Sequence, residues 1–176
     1  MTKSEALQIV RQHVKNENLI KHMIAAGSIM RALAKHLNED EDKWELAGLL
    51  HDIECEETQS EPAQHIILSQ QYLTEEGIDA DVVKAIYMHN HVHGIEPQTM
   101  MEKALYSAEE LTGLIVACAL VRPDKKLASV TPETVLKKFK QPSFAAGVNR
   151  ELILKSENML DLSLAELVRL ELAAMQ

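Results

Sequence analysis

His51 and Asp52 are adjacent in the chain, and an imidazole beside a carboxylate is a donor pair suited to a divalent transition metal. Consecutive helical residues point about 100° apart, so both side chains reach one ion only near a helix end, where the backbone is free to turn. Ala47, Gly48, Leu49 and Leu50 precede the pair and are apolar, which places it at the end of a buried helix; the same dipeptide also serves as an ordinary helix terminus. His22 lies on an inward stripe with Ala26, Ile29 and Leu33, where it is either a ligand or a core histidine bonded to a carbonyl. The later acid is Glu109. It and Glu110 are the charged residues between positions 104 and 121, and Glu109 shares a helical face with Leu105, Thr112 and Val116. A carboxylate buried there without a partner loses several kcal/mol of hydration, which a cation would offset. The alternative puts both glutamates on a solvent-facing strip with Tyr106 and Ser107. His65, on a stripe with Leu68 and Tyr72, and His89, on a stripe with Val82 and Ile86, are candidates for a second metal or for partners of the first ligands. Of the eight histidines, the remaining His13, His36, His91 and His93 read as surface or loop residues.

The elements that must position these groups are helical. Apolar residues recur at helical spacing, as in Leu19, Met23, Ala26, Met30, Leu33 and Leu37, which predicts an all-α fold. Helices are expected over about 4–16, after a Thr2/Glu5 capping box, and over about 18–37. A third follows the acidic stretch 38–42, carries Trp44, Leu46, Leu49 and Leu50, and ends near 51–53. A polar loop is expected over 54–61, then helices over about 62–76, starting at Pro62 and stopped by Gly77, and from 79 or 80 to about 90. The next helix, about 99–121, is the most apolar, and a short helix starts at Pro132. Two C-terminal helices complete the chain, the last behind a Ser163/Glu166 capping box.

With 176 residues, 46% apolar, the chain suits a single domain over residues 1–176, with a core over about 18–121 and a helical extension over about 122–176. Its 27 acids against 18 bases leave a net charge of -9, which repels nucleic-acid polymers and anionic membranes. Cys55 and Cys118 make no multi-bridge framework, and the longest apolar run, residues 111–121, is interrupted by Thr112 and Gly113, so a cytoplasmic protein without a membrane span is expected. Charge is unevenly placed. Residues 122–140 hold six bases and two acids, while the rest hold 12 bases and 25 acids. The basic segment reads as a solvated face or as a lip for an anionic substrate, with Arg122, Lys125 and Lys126 as its candidate contacts.

The order His22, then His51-Asp52, then an acid on a later apolar helix resembles the HD-domain superfamily of metal-dependent phosphohydrolases, with its pattern H…HD…D on a helical bundle. The segment Trp44-Glu45-Leu46-Ala47-Gly48-Leu49-Leu50-His51-Asp52-Ile53 is similar to the family's central motif. Ala104-Leu105-Tyr106-Ser107-Ala108-Glu109-Glu110-Leu111-Thr112-Gly113 is similar to its final ligand helix. His65 and His89 fall where members with two metals place further histidines. Two positions depart from the pattern: Glu109 stands where the family has Asp, and Glu54 where the related HDIG subgroup has Gly.

The resemblance implies an HD-like bundle with additional C-terminal helices that holds one or two divalent ions, with Mn, Fe, Ni, Zn, Co and Mg undistinguished. The ligands would be His22, His51, Asp52 and Glu109, with His65 and His89 for a second ion. Asp52 would orient a metal-activated water, whose pKa falls to about 7 in favourable zinc sites, for attack on a small phosphorylated molecule such as a nucleotide. The substitution at Glu109 motivates a second reading, an HD-fold signalling or interaction module with weak or lost hydrolysis. A di-iron oxygenase use of the fold is a third, without support from other residues.

Overall fold

The computed structural model describes residues 1–58, 60, 64 and 66–176. It is helical, and the described residues contain no strand. Helix α1 (Lys3–His13) starts at the expected capping box, in which Glu5 N–H donates to Thr2 and the Glu5 carboxylate accepts from Thr2 N–H. It stops short of residue 16 because Val14 turns extended and Asn16 already caps α2 (Glu17–Leu37). Helix α2 buries Ile20, Met23, Ile29, Met30 and Leu33 almost completely, each worth about 1.5–3 kcal/mol of apolar transfer. It ends at Asn38 in the left-handed conformation. Asp40 then caps α3 (Glu41–Leu50), whose C-cap is His51.

Helices α2 and α3 form a hairpin with near-contact between their backbones. A Cβ on Gly48 would lie 2.5 Å from the Ala26 carbonyl oxygen and 2.7 Å from Gly27 N, and one on Gly27 would lie 2.7 Å from Leu49 Cγ. These two glycines stand five residues after His22 and three before His51, so the close approach sets the separation of the two imidazoles. At the other end of the hairpin, buried Glu45 is paired with Arg31 of α2 and Lys3 of α1.

Where a loop was expected, Cys55–Thr58 form the short helix α4. Glu54 just before it is fully buried, and its carboxylate accepts the Ile66 N–H; a glycine there could not tie down that part of the chain. Helix α5 (Ile67–Glu75) is followed by Gly77 at positive φ, and the start expected at Pro62 lies outside the described residues. Asp79 caps α6 (Ala80–His89).

The single helix expected over 99–121 is two, α7 (Met100–Ala108) and α8 (Leu111–Leu120). The break has a local cause. The Glu109 carbonyl accepts from both the backbone N–H of Thr112, at 3.0 Å, and its hydroxyl, at 2.8 Å, while the Glu110 carboxylate is drawn away to Asn149 N–H at 3.1 Å. Helices α9 (Pro132–Phe139), α10 (Arg150–Leu160) and α11 (Leu164–Met175) complete the chain, the last behind the Ser163/Glu166 box. Between α9 and α10, Arg150 donates to the carbonyls of Phe139, Gln141, Phe144, Ala145 and Val148 and so pins the loop that carries Asn149. Helix α10 packs on α7 and α11 on α2, and the hydrophobic core runs from Ala6 to Leu172.

The backbone contact at Gly48 makes a prediction. Gly48→Ala should destabilise the protein by about 1–3 kcal/mol, the range for forced overpacking, read as a lowered Tm together with weaker metal binding. Gly147→Ala, where an added Cβ meets nothing within 4 Å, should change neither. Equal stability of the two variants would show that the hairpin does not need the close approach.

Candidate metal centre

His22, His51 and Asp52 converge, and Glu109 stands beside them against His22. His22 comes from the second turn of α2, His51 from the C-cap of α3 with Asp52 beside it, and Glu109 from the C-cap of α7. His22 Nε2 lies 3.2 Å from His51 Nε2, 3.7 Å from Asp52 Oδ2 and 2.8 Å from Glu109 Oε1. His51 Nε2 lies 3.4 Å from Asp52 Oδ2 and 4.0 Å from Glu109 Oε1. Donor atoms bonded to one cation at about 2.0–2.2 Å stand roughly 3–4 Å apart, so the spacing of His22, His51 and Asp52 fits a shared ion. One ligand atom each from His22, His51 and Asp52 fall within 4.8 Å of one another, and Glu109 lies outside that group, against the His22 imidazole.

The imidazoles are oriented for this. His51 Nδ1–H donates to the Gly48 carbonyl at 2.8 Å and His89 Nδ1–H to the Ile86 carbonyl at 2.6 Å, which turns both Nε2 atoms toward the carboxylates. His89 approaches through Asp52, its Nε2 being 3.7 Å from Oδ1 while Oδ2 faces the other two imidazoles. Asp52 thus stands between His22 and His51 on one side and His89 on the other; His65 lies outside the described residues. The C-terminal ends of α3 and α6 carry His51 and His89, and the partial negative charge of those ends favours a cation.

Charge at the centre follows from proximity. Burial opposes a charge on His51, but the Asp52 carboxylate, a hydrogen bond to it and the charge of Glu109 prevail and raise its pKa from 6.5 to about 9. Burial would likewise raise Asp52, yet His51 and His89 hold it well below the usual carboxylate range. Against the same burial effect, the hydrogen bond and charge of His22 hold Glu109 low. Glu110 goes the other way, raised by burial and by the charge of Glu109.

The centre opens onto a cavity of about 430 Å³ lined by His51, Asp52, His89, Tyr106, Glu109 and Glu110 among others. Leu152 of α10 closes part of it, so the C-terminal helices contribute to its wall. Asn90, His91 and Tyr106 also face this space and were not anticipated; Tyr106, one turn before Glu109, is the one that helical spacing could have flagged. Cys55 lines it with a thiol that burial and the charges of Asp52, Glu54 and Glu56 push up to about 12, so it stays neutral. None of the three basic candidates lines this cavity. Arg122 donates to Ser129 at 2.8 Å and is held on its own loop, Lys126 is exposed, and Lys125 borders a separate cavity that His22 also borders.

The HD domain family model matches residues 19–122, from α2 to just past α8, and the chain belongs to the HD-domain family, within the metal-dependent phosphohydrolase superfamily. Ribonuclease Y of Oleidesulfovibrio alaskensis is 24% identical over 98 residues, which make up 56% of this chain and 18% of that protein. The chain therefore spans less than a fifth of that relative's length. No solved structure matches it. Among the described residues no helix is long and apolar enough to cross a membrane.

A raised folded-state pKa adds stability that is complete below the unfolded value and is lost as pH climbs through the folded one. For His51 that interval runs from 6.5 to about 9. Chelator-treated protein should show a Tm that falls across it, and an added divalent metal, which needs the neutral imidazole, should remove the decline. A metal-free Tm that is flat or rises over this interval would contradict the charge assignment.

Proposed function

We propose that this protein is a divalent-metal-dependent hydrolase of small phosphorylated molecules, a nucleotide being one candidate, with the ion held by His22, His51, Asp52 and Glu109. The observation that carries the reading is the convergence of His22, His51 and Asp52 at 3.2–3.7 Å, with Glu109 2.8 Å from His22 and 4.0 Å from His51. A bound divalent ion supplies Lewis acidity and a nucleophilic water near neutral pH. The chain's own groups do the rest. Asp52, kept ionised by the imidazoles around it, accepts a hydrogen bond from the attacking water and orients it. His89, fixed by the Ile86 carbonyl, stands beside Asp52 to support it or to help hold a second ion. Leu152 and Tyr106 wall the cavity and limit bulk water at the reacting phosphorus.

Size and charge favour a small substrate. A cavity of about 430 Å³ suits a metabolite-sized molecule, and its lining of Asp52, Glu109 and Glu110 without Lys or Arg lacks the basic track that a polymer backbone needs. The similarity to Ribonuclease Y, a nuclease of RNA by its name, makes RNA the competing substrate.

The experiment is metal analysis of protein purified without chelator, then a panel of phosphomonoesters, phosphodiesters, nucleotides and a single-stranded RNA oligomer with added manganese, iron, nickel, zinc, cobalt or magnesium. We expect chelator-sensitive turnover of a small phosphorylated compound, with kcat lowered about a hundredfold or more in Asp52→Asn. No bound metal and no turnover would overturn the reading, and turnover of RNA alone would shift it to the nuclease.

Glu109 decides between an active hydrolase and a scaffold with lost activity. Its carboxylate already reaches His22 at 2.8 Å, so the longer side chain matches the helix position. Glu109→Asp draws the carboxylate back by about 1.5 Å and should weaken metal binding at least about tenfold in a calorimetric titration. Tighter binding together with faster turnover would mean that Glu109 impairs the site.

A further inference from the structure

A second cavity, of about 640 Å³, lies on the other side of the His22 ring and has no lining residue in common with the ion-facing one. The two differ in charge. The first is walled by acids, whereas the second contains Lys21 and Lys125 and no acid, in a chain with 27 acids and 18 bases. Neither ammonium group has an ion-pair or hydrogen-bond partner among the described residues. The remainder of the wall is largely apolar, and Val116 and Leu120, one turn apart on α8, are left 40% and 59% exposed.

His22 lines the second cavity and turns its Nε2 to His51 and Glu109. Whereas His51 and His89 give their Nδ1–H to carbonyls at 2.8 and 2.6 Å, His22 Nδ1 has a long 3.4 Å contact with Thr112 Oγ1, and Thr112 lines the second cavity. An acceptor placed there would satisfy that nitrogen better than the threonine does.

We propose that this cavity binds a small amphiphilic anion, a carboxylate or phosphate group on an apolar body, separate from the substrate of the ion-facing cavity. The head group lies between Lys21 and Lys125 and accepts the His22 Nδ1–H, and the body covers Val116, Leu120 and Leu127. Acceptors on the far nitrogen of a ligating histidine strengthen it as a ligand, so the anion and the metal reinforce each other's binding. This coupling rests on the metal reading above, while the binding itself does not.

The test uses chelator-treated full chain titrated with octanoate, octyl phosphate and, as a neutral control, octanol, by calorimetry and thermal shift. Octanoate and octyl phosphate should bind saturably at one site, at least about tenfold tighter than octanol, and their ratio tells which head group the site prefers. The double variant Lys21→Ala, Lys125→Gly should lose that advantage and keep its fold. Lys21 is exposed on a helix, where alanine is favourable. Lys125 has φ of 50°, which glycine adopts without strain. In wild type, saturating octanoate should tighten manganese or zinc binding about fivefold. No saturable binding, or equal binding by the double variant, would overturn the site even if the protein proves to be an active hydrolase. Unchanged metal affinity would overturn the coupling, and octanoate competing with substrate would overturn the separation of the two cavities.

Discussion

The constraint on which the rest depends is the near-contact of two helix backbones. Helices α2 and α3 can approach as they do only because positions 27 and 48 lack a Cβ, and each would otherwise meet backbone or a core side chain at under 3 Å. That approach brings a histidine near the start of one helix within 3.2 Å of a histidine at the end of the other. The two carboxylates are then added by chain geometry. Asp52 follows His51 at the point where the helix unwinds, and Glu109 is delivered by a helix that stops because Thr112 takes its carbonyl. The chemistry is local, but the positioning belongs to the bundle.

Electrostatics explains why such a cluster persists. Two carboxylates and three imidazoles share a small, mostly buried space, and without an ion the proton on His51 balances part of the negative charge. The helix ends carrying His51 and His89 add further negative potential. Elsewhere buried Glu45 is paired with Arg31 and Lys3, and buried Glu102 with Lys84. Glu171, fully buried and without a hydrogen-bond partner among the described residues, is pushed well above the ordinary range by burial and by the charge of Glu109. The centre therefore gathers two carboxylates held ionised by imidazoles, a setting that favours a divalent cation.

Much of this was legible in the chain because it is encoded locally. Capping residues such as Thr2, Asp40 and Ser163 announce helix starts by their own side-chain chemistry, and the stripe from Ile20 to Leu33 announces its buried face by spacing. His51 next to Asp52 after an apolar helix reads as a ligand pair or as an ordinary helix end, and the end of the helix is where the structure has it. The break between α7 and α8 was not legible, since its causes are tertiary: Glu109 turns toward His22 on α2, and Glu110 turns toward Asn149 some forty residues later. Nor was the separation of cations from the ion-facing cavity. Lys125 and Lys126 follow the last ligand helix closely in sequence, but Asp124 and Ser129 fold that loop on itself and direct it to the opposite side of His22.

The most direct test of the account is diffraction from crystals grown with a bound transition metal, recorded on both sides of its absorption edge. One anomalous peak is expected within about 2.0–2.3 Å of Nε2 of His22 and of His51 and of a carboxylate oxygen of Asp52 and of Glu109. A peak bonded to other residues, or one from which Glu109 is turned away, would contradict it.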